Sequence, residues 1–510
     1  MRKAMPIFYS ALLLTGVNLL LRLAGTSFQV YLSSRIGAAG IGLLQLTLSV
    51  GTMAMVAGMA GIRTAVMYLT AEELGKKRPQ NVTWVLSGCI LYSVLCSSAV
   101  GLALFHFSPA VAVRWIGDDR TADALRLLAA FLPVSCLCGV MTGYFTAAQK
   151  IGTLAAVEIA EQLCSMAATL ALLHFRGGND PGIACQCVVL GSAAGSCLTL
   201  LSLMLLRLLE RPHMGARIPV AHRLLETAVP LALADDLRTG ISTVENLMVP
   251  KRLALNTAVS NPMAAFGMVS GMVFPILMFP ACILYGLAEL LIPELARCAA
   301  AGSRTRIRYL TRRSLRIAML YGILFGGLIF LLAEPLCLRF YKSPEAGAYL
   351  RLYAMLIPML YCDAITDAMT KGLGQQKANV RYNILTNILD VIFLYLLLPR
   401  YGMAGYFVSF FATHLLNFML SLRRLLRITG ILLPFHVPAL SFVAAFASVM
   451  IVSHVSQPGM QTSAYPVILG CLLYLFKIIS REDTRWLKSL ILGNPRKNCP
   501  SDVDICPQMR

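Results

Sequence analysis

The chain has 510 residues, of which 57% are hydrophobic and only 13% charged, with a mean hydropathy of +0.71, whereas soluble domains carry roughly 25% charged residues. That composition excludes a water-soluble globular body. The net charge of +20 does not point to nucleic acid, because the basic residues fall in alternate loops between apolar stretches.

A membrane-spanning helix needs about 20 mostly apolar residues, and such stretches recur from residue 7 to residue 480. The first, 7–34, is longer than a signal-peptide core, contains Arg22 and lacks a small-x-small cleavage site, so it is expected to persist as a helix. On it Thr15, Asn18, Arg22, Gly25, Thr26 and Gln29 share one sector of a wheel drawn at about 100° per residue, a polar stripe on an apolar rod. The second stretch, 41–69, carries Gly58, Gly61 and Arg63 near its end, where the arginine either enters a cavity or reaches the headgroups by itself. Stretches 81–107, 123–147, 150–174 and 183–209 follow. Glu158, Glu161 and Gln162 form a small polar strip on the fifth, which interhelical hydrogen bonding explains about as well as transport does.

The seventh stretch, 222–250, is the most polar, with Asp235, Asp236, Arg238, Ser242, Glu245 and Asn246 in close succession. Measured from Arg238 around the helix, Glu245 lies about 20° away, Ser242 about 40°, Asp235 about 60° and Asn246 about 80°, while Asp236 points elsewhere. Asp235 is also an i,i+3 partner that could neutralise Arg238 internally. Stretches 263–292, 314–334, 347–370, 379–399, 403–422, 431–453 and 462–480 complete a total of about fourteen. The arginines from Arg304 to Arg313 are expected in a cytoplasmic loop, and Asn383, Asn387 and Asp390 give a weaker polar strip on the eleventh stretch.

With the N-terminus inside, roughly three times as many basic residues fall on the inner side as on the outer, which predicts both termini cytoplasmic. The turn Ala147-Ala148-Gln149-Lys150 after the fourth stretch is matched by Gly374-Gln375-Gln376-Lys377 after the tenth. The expected fold is therefore an all-α polytopic membrane protein with two six-helix lobes in parallel repeat, 1–213 and 214–430, a further helix pair at 431–480 and a polar cytoplasmic tail at 481–510.

An arginine at mid-bilayer costs roughly 2.5–3.5 kcal/mol and needs a partner or a wet cavity. Arg22, Arg63 and Arg238, with Asn18, Gln29 and Ser242, are accordingly the candidate substrate-binding residues, and Asp235, Asp236 and Glu245 the candidate ion-coupling or counter-charge residues. The fifteen cysteines fall mostly in apolar stretches without metal-ligand spacing and read as small apolar filling. No phosphate-binding loop, metal motif or catalytic carboxylate pair appears, so neither an enzyme nor a cofactor is expected, and transport would run on a gradient or on membrane potential.

The segments NLLLRLAG (18–25), GIRTAVMYLTAEE (61–73) and, between Pro230 and Glu294, ENLMVPKRL, GMVSGMVFPILMFPACI and LAELLIPELA carry a family likeness. The chain resembles the polysaccharide-transporter branch of the multidrug/oligosaccharidyl-lipid/polysaccharide exporter superfamily, the branch of stage V sporulation protein B-like and lipid II flippase-like proteins. The resemblance implies a bacterial cytoplasmic-membrane protein, working as a monomer, that flips a lipid-linked saccharide or peptidoglycan precursor by alternating access. It implies that Arg22, Arg63 and Arg238 hold the pyrophosphate, with possible coupling to a monovalent cation or proton. The alternative within the same superfamily is a cation-coupled multidrug or metabolite antiporter, whose usual twelve helices and less basic cavity fit less well.

Overall fold

The structure, a computed structural model, describes residues 5–76, 78–176, 180–210, 221–431, 436–454, 457–476 and 478. Its elements in chain order are α1 (Met5–Met59), α2 (Ile62–Gly75), α3 (Pro79–Ala110), α4 (Ala122–Ala147), α5 (Ile151–Arg176), α6 (Pro181–Leu209), α7 (Ala221–Leu253), α8 (Pro262–Met268), α9 (Phe274–Met278), α10 (Ala281–Ala300), α11 (Arg304–Tyr341), α12 (Pro344–Ala354), α13 (Ile357–Gly372), α14 (Gln376–Thr429), α15 (His436–Ser453) and α16 (Pro458–Leu475). Among the described residues no strand occurs. Three of these helices begin at a polar cap followed by proline: Asp180 accepts from Gly182 N, Asn261 from Ala264 N and Ser343 from Ala346 N. A proline in the first turn sacrifices no hydrogen bond, since that N–H has no intrahelical partner.

The helices are built for lipid rather than water. On α3, Ser93 and Ser97 are fully buried while Leu91, Leu95 and Leu102 are 62%, 63% and 71% exposed. In water that arrangement would be inside out; in a bilayer it buries the polar groups and gives the leucines to acyl chains. Among the described residues, eight helical stretches are long and apolar enough to cross a membrane, or up to ten when two bent pairs are each taken as one span. Two of the eight, the stretch over α1 and α2 and that of α14, contain a non-helical glycine, Gly37 (φ 69°) and Gly402 (φ 55°), where only glycine adopts a left-handed backbone without strain.

Packing divides the chain into two units. One comprises residues 12–272 and 390–406. Its core gathers Ile62, Val66 and Leu69 of α2, Val85 and Cys89 of α3, Tyr144 and Phe145 of α4, and Leu203 of α6. The other comprises residues 1–11, 273–389 and 407–510. In it α15 and α16 pack on α11, where Tyr465 donates its buried hydroxyl to Ile323 O at 3.0 Å.

In the first unit, Glu210 ties the turn after α4 to the end of α6. Its carboxylate accepts from Lys150 Nζ, from the Tyr144 hydroxyl at 3.0 Å and from Arg207 at 3.1 Å. Burial pushes the Glu210 carboxyl up, but those hydrogen bonds outweigh it and hold the group below the ordinary glutamate range. A depressed folded value means the network contributes fully above the unfolded pKa, about 4.3, and is lost as pH falls through the lower folded value. Glu210→Gln is therefore expected to melt below the wild type at neutral pH, with the gap closing by about pH 3. Thermal scans of the purified protein across that range check it; a gap independent of pH would show the carboxylate charge to be immaterial.

Candidate transport site

All the sequence-predicted site residues lie in the unit formed by 12–272 and 390–406. The seventh helix organises them. Near its start, Arg223 reaches Glu72 Oε2 at 2.7 Å and Glu73 Oε1 at 2.9 Å, fixing α7 to the end of α2. The two helices meet closely at Gly61, whose added Cβ would stand 2.4 Å from Ala228 O and whose φ is +71°, so α2 begins at a residue that admits no side chain on either count. Further along, Thr243 Oγ1 donates to Ser49 O at 3.3 Å and Asn246 Nδ2 to Ser49 Oγ at 3.1 Å, docking α7 on the second half of α1.

That docking directs Glu245 at α14, where its carboxyl lies within hydrogen-bonding and electrostatic reach of Asp390. Asp390 is only 5% exposed, and buried Tyr406 lies within electrostatic reach of both carboxyls. The same stretch of α14 is pinned to the end of α7 by Arg252, whose guanidinium sits 3.3 Å from the centre of the Tyr395 ring, and by Asn256 Nδ2 donating to Pro399 O at 3.1 Å. Two carboxyls in contact need a proton between them or a cation against them, because two bare charges at that distance repel strongly.

The arginines are arranged differently. Arg63 and Arg238 are exposed on the unit's surface, and among the described residues neither has an ion-pair or hydrogen-bond partner. The i,i+3 pairing of Asp235 with Arg238 allowed by their spacing does not form: no nitrogen–oxygen approach within 4.0 Å joins them, and Asp235 is itself exposed. Glu158 of α5 lies within electrostatic reach of Arg63 without a salt bridge. Arg22 is exposed on α1, and its carbonyl accepts from Thr26 Oγ1 at 2.9 Å. The side chain of Asn18 lies outside the described residues.

Of the remaining candidates, Gln29 is engaged structurally, its Nε2 donating to Gly271 O at 3.2 Å in the π-helical turn Val269–Val273 that follows α8. Ser242 is exposed. Asp236 turns away from the Arg238 face toward Tyr92 of α3, as the helical wheel requires, and its Oδ1 has no hydrogen-bond partner among the described residues. The structure thus joins Glu245 to Asp390, which the sequence marked only weakly, and leaves Arg63 and Arg238 open.

Exposed leucines beside buried serines, and long apolar helices broken at glycine, describe a multi-pass membrane protein. The MatE family model matches residues 14–172 and 252–396, and the chain belongs to that family, within the multidrug/oligosaccharidyl-lipid/polysaccharide exporter superfamily. Its members are transporters and flippases, not enzymes. Stage V sporulation protein B of Bacillus subtilis (strain 168) is 21% identical over 502 residues, covering 93% of this chain and 96% of the relative. A probable multidrug resistance protein, NorM, of Rhizobium meliloti (strain 1021) is 24% identical over 208 residues, covering 39% of this chain and 42% of its own length. Among solved structures, the lipid II flippase MurJ in an inward closed conformation superposes with a TM-score of 0.69 at 13% identity, covering 91% of this chain and 98% of that one. An inward-facing multidrug resistance MATE family transporter superposes with a TM-score of 0.66 at 13% identity, covering 82% and 99%.

Proposed function

We propose that this protein flips a polyprenyl-pyrophosphate saccharide or peptidoglycan precursor across the bacterial cytoplasmic membrane by alternating access, acting as a monomer with both termini in the cytoplasm. The observation that carries this reading is the pair of open guanidiniums, Arg63 in a stretch long and apolar enough to span a membrane and Arg238 on α7, both exposed and without an ion-pair or hydrogen-bond partner among the described residues. An arginine in a span without a protein partner calls for water or an anion, and its planar, permanently charged fork suits phosphate oxygens. Likeness to stage V sporulation protein B over nearly the whole chain and to the lipid II flippase fold supports the same cargo.

In this mechanism lobes 1–213 and 214–430 rock about the site. Arg22, Arg63 and Arg238 hold the pyrophosphate, Asn18 and Ser242 hydrogen-bond the saccharide, Gln29 holds the turn beside them, and the lipid tail remains in the bilayer. Asp235 balances the local positive charge, while Asp236 and Glu245 supply carboxylates for a coupling proton or monovalent cation. If about two negative charges cross outward, an inside-negative potential of about 100 mV contributes roughly 4.6 kcal/mol, less whatever the accompanying arginines cancel.

The test is reconstitution in proteoliposomes, with labelled lipid-linked precursor followed by its protection from an external reagent. Each of Arg22→Ala, Arg63→Ala and Arg238→Ala is expected to lower the rate about tenfold, the worth of one charge-assisted hydrogen bond. Unchanged flipping in the correctly folded triple variant would end the arginine assignment. The Glu245–Asp390 contact also favours a second reading, a cation-coupled antiporter of the same superfamily, which predicts export of cationic dyes on a proton or sodium gradient and indifference to lipid-linked precursor.

A further inference from the structure

In the unit that contains residues 273–389 and 407–510, a cavity of about 550 Å³ opens where α13 passes into α14. Gln375, Gln376, Lys377, Arg381, Tyr382 and Arg424 line it, three cations and no carboxylate. Arg424 is held by Gln375, whose Oε1 accepts from Nε at 3.1 Å and from a terminal nitrogen at 2.6 Å. Among the described residues, Lys377 and Arg381 have neither an ion-pair nor a hydrogen-bond partner.

The chain contains its own comparison. The turns after α4 and α13 close with the same backbone pattern: Gln149 N donates to Thr146 O and Lys150 N to Phe145 O, as Gly374 N donates to Lys371 O and Gln375 N to Thr370 O. Gln149 and Gly374 both have positive φ, at 58° and 74°. Lys150 therefore corresponds in structure to Gln375, two residues from the match that Gln149-Lys150 and Gln376-Lys377 suggest in sequence. In the first turn Lys150 meets an acid at the end of α6, Glu210. In the second, neutral Gln375 meets a cation, Arg424, so the carboxylate that closes the first site is replaced by a positive charge.

We propose that this cavity binds a phosphate group, of an anionic lipid headgroup or of a free phosphate, between Lys377, Arg381 and Arg424. Three clustered cations in a cavity lined by no carboxylate repel one another, and an anion between them removes that repulsion. Basic pockets at the ends of membrane helices offer lipid phosphates this kind of site. The Tyr382 hydroxyl and the Gln376 amide supply neutral donors at the same cavity.

Calorimetric titration of the full-length protein in detergent tests this, with short-chain phosphatidylglycerol, short-chain phosphatidylcholine and inorganic phosphate as probes. Phosphatidylglycerol is expected to bind, and Lys377→Ala with Arg381→Ala to weaken it about thirtyfold, the effect of two basic residues beside an anionic headgroup. Arg339→Ala with Lys342→Ala removes the same charge elsewhere and is expected to change nothing. Gln375→Lys with Arg424→Glu, which installs the ion pair of the first turn, is expected to abolish binding without loss of the fold. Binding of inorganic phosphate that displaces the lipid assigns the site to phosphate as such, and binding of phosphatidylglycerol alone assigns it to the headgroup in its bilayer setting. Equal phosphatidylglycerol affinity in the wild type and in both cavity variants, or no preference over phosphatidylcholine, overturns the proposal.

Discussion

Gly267→Leu is expected to yield no folded protein in the membrane fraction. A Cβ at Gly267 would fall 2.0 Å from Ala38 O and 2.6 Å from Gly42 N, and a Cβ at Gly42 would fall 2.4 Å from Met263 O. The obstructing atoms are backbone on both sides, so no rotamer change makes room. Here α8 and the second half of α1 cross with their main chains in contact, which small residues alone permit. Separating them would also pull Gln29 from Gly271 O, the contact that holds the turn after α8. Overpacking a well-packed crossing costs about 1–3 kcal/mol when neighbours can shift, and with main chain on both sides the expected loss exceeds about 4 kcal/mol, a large part of a typical folding free energy. Gly152→Ala is the control, since nothing lies within 4 Å of its added Cβ. Thermal stability in detergent is the measurement; a Gly267→Leu protein that melts with the wild type would refute the close crossing.

Such contacts explain which parts of this fold could be read in advance. Breaks between the first two spans and between the eleventh and twelfth were legible, because Gly37 and Gly402 stand in short polar interruptions of long apolar runs and both take positive φ. The break inside 41–69 was legible only as the freedom to bend or approach closely that Gly58 and Gly61 give beside Arg63. Ala60 and Gly61, at φ 43° and 71°, separate α1 from α2 there, where the main chain of Ala228, far away in sequence, comes close to Gly61. The span read as 263–292 is likewise interrupted, by the π-helical turn and by a bend of 63° between α9 and α10.

Helix ends show the converse limit. The arginines from Arg304 to Arg313 were expected in a loop, yet α11 begins at Arg304 and carries all of them. Hydropathy marks where a helix leaves the membrane, and arginine, a good helix former, lets it continue into water. Arg306 finds Glu294 of α10 there at 2.5 Å. At the candidate site, the helical wheel correctly set Asp236 apart from the Arg238 face, since that needs only the 3.6-residue period. It could not decide whether Asp235 would bind Arg238, which depends on whether the guanidinium has a better environment than its neighbour, nor that Glu245 would meet a carboxyl on a helix brought beside it by tertiary packing alone.

That meeting carries the second large effect. Glu245→Gln and Asp390→Asn are each expected to leave the fold intact and to lower ion-driven transport about tenfold or more, with the double variant little worse than either single one. A carboxyl pair in contact retains a proton or cation that neither member holds as well alone. Replacing one member by its amide preserves shape and hydrogen-bonding capacity, so the contact between α7 and α14 survives, but the amide cannot share an exchangeable charge. Because the charge belongs to the pair, its loss is complete after the first substitution, and the effects are strongly non-additive. Arg252 over Tyr395 and Asn256 on Pro399 O hold the two helices together independently of the carboxyls, which is why stability is expected to change by less than about 1 kcal/mol. The measurement is transport rate in proteoliposomes against imposed proton and sodium gradients, with thermal stability followed in parallel. Single variants that keep the full gradient response would remove this pair from the coupling mechanism, and additive losses in the double variant would show two separate sites instead of one shared charge.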